Sequence, residues 1–257
     1  MGELIFILGC NRSGTTLLQN LFRCAKDTKV IMGEIPPPIL FRVEQYYDDP
    51  KLSFVGKRCG APHIWGASMS GIDAALINSE RVLSGESIFE GREEIIPWVE
   101  WMANWQRIWH IHIRRDPRDS MTSRMQKSNR YVGLPYMWKN AEAIYKRLYE
   151  IHPDRTLLVK YEELVSQPNE VMENLFETIG LEKGMEDVND WPNTLTEKEL
   201  RHRSMRWLKG PRPVDRDSVG QWKYHKTRIL GLIKSDPDFA DLVVEAGYDE
   251  KGWEKNL

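Results

Sequence analysis

Cysteine is scarce in this chain, with Cys10, Cys24 and Cys59 the only three among 257 residues. A small, odd number in a chain long enough to bury its own core argues against a disulfide framework and for a reducing compartment. Long apolar runs are missing too. The run over residues 4–8 stops at Gly9, Cys10, Asn11 and Arg12, far short of the ~18 residues of a membrane-span candidate, so neither a span nor a signal peptide is expected. Phe6 stands where a myristoylation signal starting at Gly2 would carry Ser or Thr, which removes that anchor. Neither sign of charge dominates, since 36 Lys plus Arg face 38 Asp plus Glu for a formal net charge of -2. A general nucleic-acid or membrane-surface binder needs a basic excess, so any anion site must be local. Repeats and low-complexity segments are absent, and 41% hydrophobic with 29% charged residues excludes a disordered chain. The expectation is a single cytoplasmic domain over residues 1–257, mostly helical from about 165.

What is present alternates between two periods. Residues 3–9 form a short continuous apolar stretch ending at Gly, as in a strand buried on both faces. From Ser13 the apolar residues Leu17, Leu18, Leu21 and Phe22 recur at helical spacing, predicting a helix to about Ala25. Further strands are predicted over 29–32, 52–55, 108–113 and, as a buried strand, 156–160. Prolines 36 to 38 open a helix to about 47. Other helices are predicted over 94–105, 118–126, 135–151, 169–179, 196–208 and from 226 onward, while 62–91 reads as loop plus one helix. Pro117 sits where it would open its helix. Alternating strands and helices favour an α/β, three-layer P-loop-like fold, with a central parallel sheet and helices on both faces.

The segment Gly9-Cys10-Asn11-Arg12-Ser13-Gly14-Thr15-Thr16 joins the first strand to the first helix. Successive main-chain N–H groups and a helix start can cradle an anion there. It has the two-glycine spacing of the nucleotide P-loop, but Thr15 replaces the Lys after the second Gly, and the cation is Arg12, ahead of it. A plain strand-to-helix turn, capped by Thr15 and Thr16, is the competing reading. Arg115-Asp116-Pro117-Arg118 stands at a strand end with Ser123 beyond it, offering a guanidinium fork and a hydroxyl to a phosphate monoester.

With these elements the sequence resembles the sulfotransferase superfamily that uses 3′-phosphoadenosine 5′-phosphosulfate (PAPS), and is most similar to its tyrosylprotein-type and related bacterial members. The resemblance implies that Arg12, Ser13, Gly14, Thr15 and Thr16 hold the 5′-phosphosulfate and that Arg115 and Ser123, placed in the following helix, clamp the 3′-phosphate. It implies that Tyr161, in Val159-Lys160-Tyr161-Glu162-Glu163-Leu164, lies near the nucleotide. Ser218-Val219-Gly220-Gln221-Trp222-Lys223 resembles a C-terminal segment that closes over the nucleotide, although Asp215, Arg216 and Asp217 stand where cytosolic members carry Arg-Lys-Gly. Arg216 and Ser218 are the contacts this implies. Glu34, after the second strand, resembles the tyrosylprotein-type general base, and Lys57, after the third, the residue contacting the sulfuryl group. Together with Arg12 these two form the implied catalytic set. The acceptor is a hydroxyl or amine, with no metal and no nucleic acid involved.

Alternatives stay open at this level. Glu34 could be a charge partner of a helix start, and Lys57 an ordinary surface lysine. His110 and His112, two apart on a strand, share a face and could be a metal pair or supply the base, while His63 lies near Cys59 in no zinc-like spacing. Trp98, Trp101 and Trp105 recur at helical spacing as core or pocket lining. Residues 198–228 hold ten basic against three acidic side chains, a local +7 that leaves -9 for the remainder and that either steers an anionic ligand or coats a solvated helix. The rival functions are a nucleoside-triphosphate-dependent kinase, disfavoured by the missing loop Lys, and a non-catalytic nucleotide-binding module.

Overall fold

The computed structural model describes residues 3–31, 53–59, 108–123, 131, 133, 135–201 and 210–257. Five strands, β1 Leu4–Gly9, β2 Thr28–Val30, β3 Ser53–Cys59, β4 Ile108–Arg114 and β5 Thr156–Lys160, form one parallel sheet in the order β2-β3-β1-β4-β5. β1 lies in the middle, Ile5 in register with Val55 on one side and Trp109 on the other. All six of its residues are buried, which is why its sequence is continuously apolar rather than alternating.

The described helices are α1 Thr15–Leu21, α2 Pro117–Thr122, α3 Pro135–Ile151, α4 Tyr161–Ser166, α5 Pro168–Ile179, α6 Glu197–Leu200, α7 Lys226–Ser235 and α8 Phe239–Glu245. On one sheet face, Ile5, Ile7, Ile111, Ile113 and Val159 pack with Leu18 and Leu21 of α1, Leu164 of α4, and α5. α5 buries Met172, Leu175, Phe176 and Ile179, the spacing of one helical stripe. Burial of each such side chain stabilises by about 1.5–3 kcal/mol. Phe176 meets Phe22 edge to face at 5.8 Å, so Phe176→Ala opens a cavity costing about 3–5 kcal/mol.

Phe6, Leu8, His110 and His112 point to the opposite face by the two-residue period of a strand. α3 covers that face, packing on β1 and β5 and burying Ile144 and Leu148. Sheet and helices thus make the three layers anticipated. A further cluster joins Ile229, Leu232, Phe239, Leu242, Val243 and Trp253 to Cys10, Met121 and Trp138. Through it the C-terminal helices seat on the loop after β1 and on α2 and α3.

Several boundaries differ from the sequence reading. The first helix ends at Leu21 and tightens into a 3-10 turn over Phe22–Cys24. β2 ends at Val30. β3 runs on to Cys59, so Lys57 lies inside the strand, opposite Ile7 and two residues short of its end, rather than beyond it. α2 stops at Thr122, and Ser123 is already extended, outside the helix expected to contain it. β5 is an edge strand with Thr156 and Val159 buried but Leu158 and Lys160 exposed, not a strand covered on both faces. The helix expected over 196–208 is described only as α6, begun by a capping box between Thr196 and Glu199. Glu34, His63, the helix expected to run from the prolines at 36–38 to about 47, the helix expected over 94–105, and the 62–91 stretch lie outside the described residues.

Candidate active site

Gly9 closes β1 beneath β4, so near that a Cβ on it would lie 2.6 Å from Ser13 Oγ and 2.8 Å from the Ile113 carbonyl oxygen. Arg12 follows in the left-handed region at φ 70°, a conformation that costs a non-glycine residue about 1 kcal/mol or more and persists only when its surroundings enforce it. The Arg115 guanidinium supplies that enforcement, donating from Nη1 to the Arg12 carbonyl at 2.8 Å. Gly14, at φ 100°, caps α1 without a side chain. The Tyr161 ring lies where its Cβ would be, 2.5 Å from that point. Ser13, fully buried, donates its hydroxyl to the Cys10 carbonyl at 2.7 Å. Its side chain shapes the loop, while Thr15 is buried and Thr16 half-buried at the start of the helix.

Arg12, Arg115, Ser123, Tyr161 and Ser218 come together from four parts of the chain. Arg12 Nε donates to the Ser123 hydroxyl at 2.8 Å. Arg115, 6% exposed, stacks over the Tyr161 ring at 4.5 Å and donates from Nη2 to the carbonyl of Ser218. It is this main-chain oxygen of Ser218, not its hydroxyl, that is engaged. Asp119 lies 3.9 Å from Arg115 Nη2. Arg115 Nε is buried with no hydrogen-bond partner among the described residues. A guanidinium has five N–H donors, and a buried one without an acceptor is costly unless an anion completes it. Arg216 is exposed on the turn before Ser218 and has no described contact with this group.

Arg118, in the same motif, has a different role. It is 3% exposed, bonds the Asp116 carboxylate through Nε and Nη2, and reaches Asp249 at 2.6 Å. It is sandwiched by Trp222 and Trp253 at 4.1 and 4.7 Å. Burial pushes the Asp116 carboxyl up, against the pull of Arg118. Glu162 accepts from the Asp116 N–H and from the Tyr248 hydroxyl, each at 3.0 Å, and burial raises its carboxyl as well. The turn holding Arg115 is therefore clamped from behind by the C-terminal residues.

The two strand histidines have different surroundings among the described residues. His112 Nε2 meets Glu142 at 2.8 Å and its ring stacks on Tyr145 at 5.0 Å. Arg114 binds the same carboxylate at 3.0 and 2.6 Å. Burial alone would raise the Glu142 carboxyl, but the hydrogen bonds and charges of His112 and Arg114 outweigh it and hold the group at about 2. His110 is 1% exposed, with neither ring nitrogen bonded among the described residues, and burial, aided by His152, pushes it down to about 3. Among the described residues no three His, Cys, Asp or Glu side chains gather in a metal-binding group. Sequence reasoning missed Glu142 and Asp119. The Asp119 signal was its i,i+4 spacing from Arg115; Glu142 has none.

Residues 109–187 match the model of the sulfotransferase family. No curated protein matches the chain. Among solved structures, a sulfotransferase domain from the curacin biosynthetic pathway is similar at 13% identity and TM-score 0.51, covering 91% of this chain and 97% of its own. Two others are the sulfotransferase domain of the Synechococcus PCC 7002 olefin synthase, at 14% identity, TM-score 0.48, and 91% and 94% coverage, and mouse sulfotransferase SULT7A1 complexed with PAP, at 12% identity, TM-score 0.48, and 96% and 89% coverage. The match therefore covers most of β4, the Arg115 turn, and everything through α5. That stretch is similar to the sulfotransferase family, and the α/β sheet around it has the fold of a sulfotransferase domain.

Proposed function

We propose that the chain is a sulfotransferase that moves a sulfuryl group from PAPS to an acceptor hydroxyl or amine by in-line displacement. The observation that carries this reading is the convergence of Arg12, Arg115, Ser123 and Tyr161 on the glycine loop, with a buried Arg115 N–H left for an anion. The donor, when bound, supplies the sulfuryl group and leaves as the 3′,5′-bisphosphate. Arg115 and Ser123 hold its 3′-phosphate by a guanidinium fork and a hydroxyl. The loop main chain from Ser13 to Thr16 and Arg12 hold its 5′ end, where negative charge grows as the S–O bond breaks. Lys57 neutralises the sulfuryl oxygens from β3, and Arg216 and Ser218 belong to the segment covering the nucleotide.

Glu34 takes the acceptor's proton, in the place that tyrosylprotein-type members give their base. The buried histidines do not compete with it, because His112 is committed to Glu142 and His110 is enclosed. One domain spans residues 1–257. Cys10 and Cys24 are buried, and burial pushes the Cys24 thiol up to about 12; so few cysteines in a chain of this length suit a reducing, cytoplasmic setting.

The test is transfer of labelled sulfate from PAPS to peptide-tyrosine, sugar, phenol and lipid acceptors. Label should appear in one class, with one equivalent of 3′-phosphoadenosine 5′-phosphate released per transfer. Magnesium-dependent ATP hydrolysis without sulfur transfer would assign the site to a kinase instead.

A further inference from the structure

We infer that Asp119 is a positioning residue that holds the C-terminal strap, residues 218–222, in place over the nucleotide site; the inference rests on the donor-binding reading above. Asp119 lies in α2, 2% exposed. Its carboxylate is turned to the strap's main chain. Oδ2 accepts from the Gly220 N–H at 2.7 Å and Oδ1 from the Trp222 N–H at 2.9 Å. These bonds join residues 101 and 103 apart in sequence, and each has an ionised acceptor, which makes it roughly twice as strong as a neutral pair.

The opposite charge grips the same strap one helical turn earlier. Arg115 takes the carbonyl of Ser218 while Asp119 takes the amides of Gly220 and Trp222, so cation and anion at i and i+4 hold complementary ends of one short loop. The strap's other described main-chain bonds are local, Val219 N–H to the Arg216 carbonyl and Lys223 N–H to the Gly220 carbonyl, and do not tie it to the sheet. Trp222 in turn lies against Arg118. Releasing Asp119 therefore frees the Ser218 carbonyl that orients Arg115, and the consequence reaches the 3′-phosphate without Asp119 touching it.

Asp119→Asn is the informative change. It keeps one acceptor, but its amide nitrogen is a donor, so of the two strap N–H groups one is left facing another donor. The variant should show amide exchange at Gly220 and Trp222 at least tenfold faster without nucleotide. Its affinity for 3′-phosphoadenosine 5′-phosphate should drop tenfold or more, while that for adenosine 5′-phosphate moves less than threefold, and KM for PAPS should rise with kcat little changed. In the wild type, the Gly220 and Trp222 amides should exchange more slowly than that of the exposed Asp217, whose N–H bonds the half-buried Asp215 two residues earlier; this arm needs no variant to fold. Equal exchange rates there, or unchanged exchange in Asp119→Asn, would overturn the anchoring. Equal loss of affinity for both nucleotides would make Asp119 a structural residue only. A wild type that does not distinguish the two nucleotides would instead overturn the donor-binding reading, while the exchange rates still decide whether Asp119 holds the strap.

Discussion

Arg115 is the residue on which the site turns. It stacks on Tyr161, holds Arg12 in a left-handed conformation and fastens the Ser218 carbonyl, while its Nε has no hydrogen-bond partner among the described residues. The same crowding makes Gly14 intolerant. Gly14→Ala places a methyl 2.5 Å from the Tyr161 ring at φ 100°, so it should cost about 2 kcal/mol or more in stability, seen as a lower thermal midpoint, and should weaken nucleotide binding because Tyr161 or the loop must move. A change confined to the midpoint would separate the loop from the site. Acid–base chemistry gives the second residue-scale expectation. General-base catalysis contributes about a hundredfold to ten-thousandfold, so Glu34→Gln should lower kcat by that range with 3′-phosphoadenosine 5′-phosphate binding near normal. His110→Leu should leave kcat intact, because His110 is enclosed and has no hydrogen-bond partner among the described residues. Collapse of the histidine variant with a fully active Glu34→Gln would pass the base to His110.

At the scale of elements, α3 is fastened to β4 by the His112–Glu142–Arg114 cluster as well as by apolar packing. Glu142 is held at about 2, below its ordinary 4.5. A depressed folded value means stabilisation that is complete above about pH 4.5 and is lost as pH falls toward 2. The shift corresponds to about 3 kcal/mol. Urea titrations between pH 5 and 2 should show a loss of that order, and Glu142→Gln should flatten it while destabilising the protein at pH 7, since Arg114 and His112 lose their counter-charge. A Glu142→Gln variant with an unchanged acid profile would contradict the assignment. These pairings also mark where the sequence stops being legible. α2 begins where Asp116 and Pro117 say it should, because cap and φ restriction are local. Its end is not locally encoded: Ser123 leaves the helix to meet Arg12, 111 residues earlier. The Glu142 bridge and the Asp119 anchor are likewise long-range contacts, whereas the glycine loop, the Arg115 turn and the central strands carry signals within a few residues of themselves. Lys57 shows the limit for strands, because pairing with β1 carries β3 past the glycine at which the apolar pattern stops.

Across the whole molecule, a nearly neutral chain gathers cationic side chains at the carboxyl ends of β1 and β4, where open parallel sheets place their ligands. Main-chain N–H groups, Arg12 and Lys57 neutralise the leaving oxygens without a metal in this account, so EDTA should leave sulfuryl transfer unchanged. A strict magnesium requirement, lost on chelation and restored by the ion, would point to phosphoryl transfer. The central claim is that Arg115 and Ser123 read a 3′-phosphate. Calorimetric titration of the wild type and Arg115→Ala with 3′-phosphoadenosine 5′-phosphate and adenosine 5′-phosphate tests it most directly. The wild type should bind the bisphosphate far more tightly, and Arg115→Ala should lose about 1.5–3 kcal/mol, roughly tenfold to over a hundredfold, of that preference; equal affinity of the wild type for the two nucleotides would contradict the account.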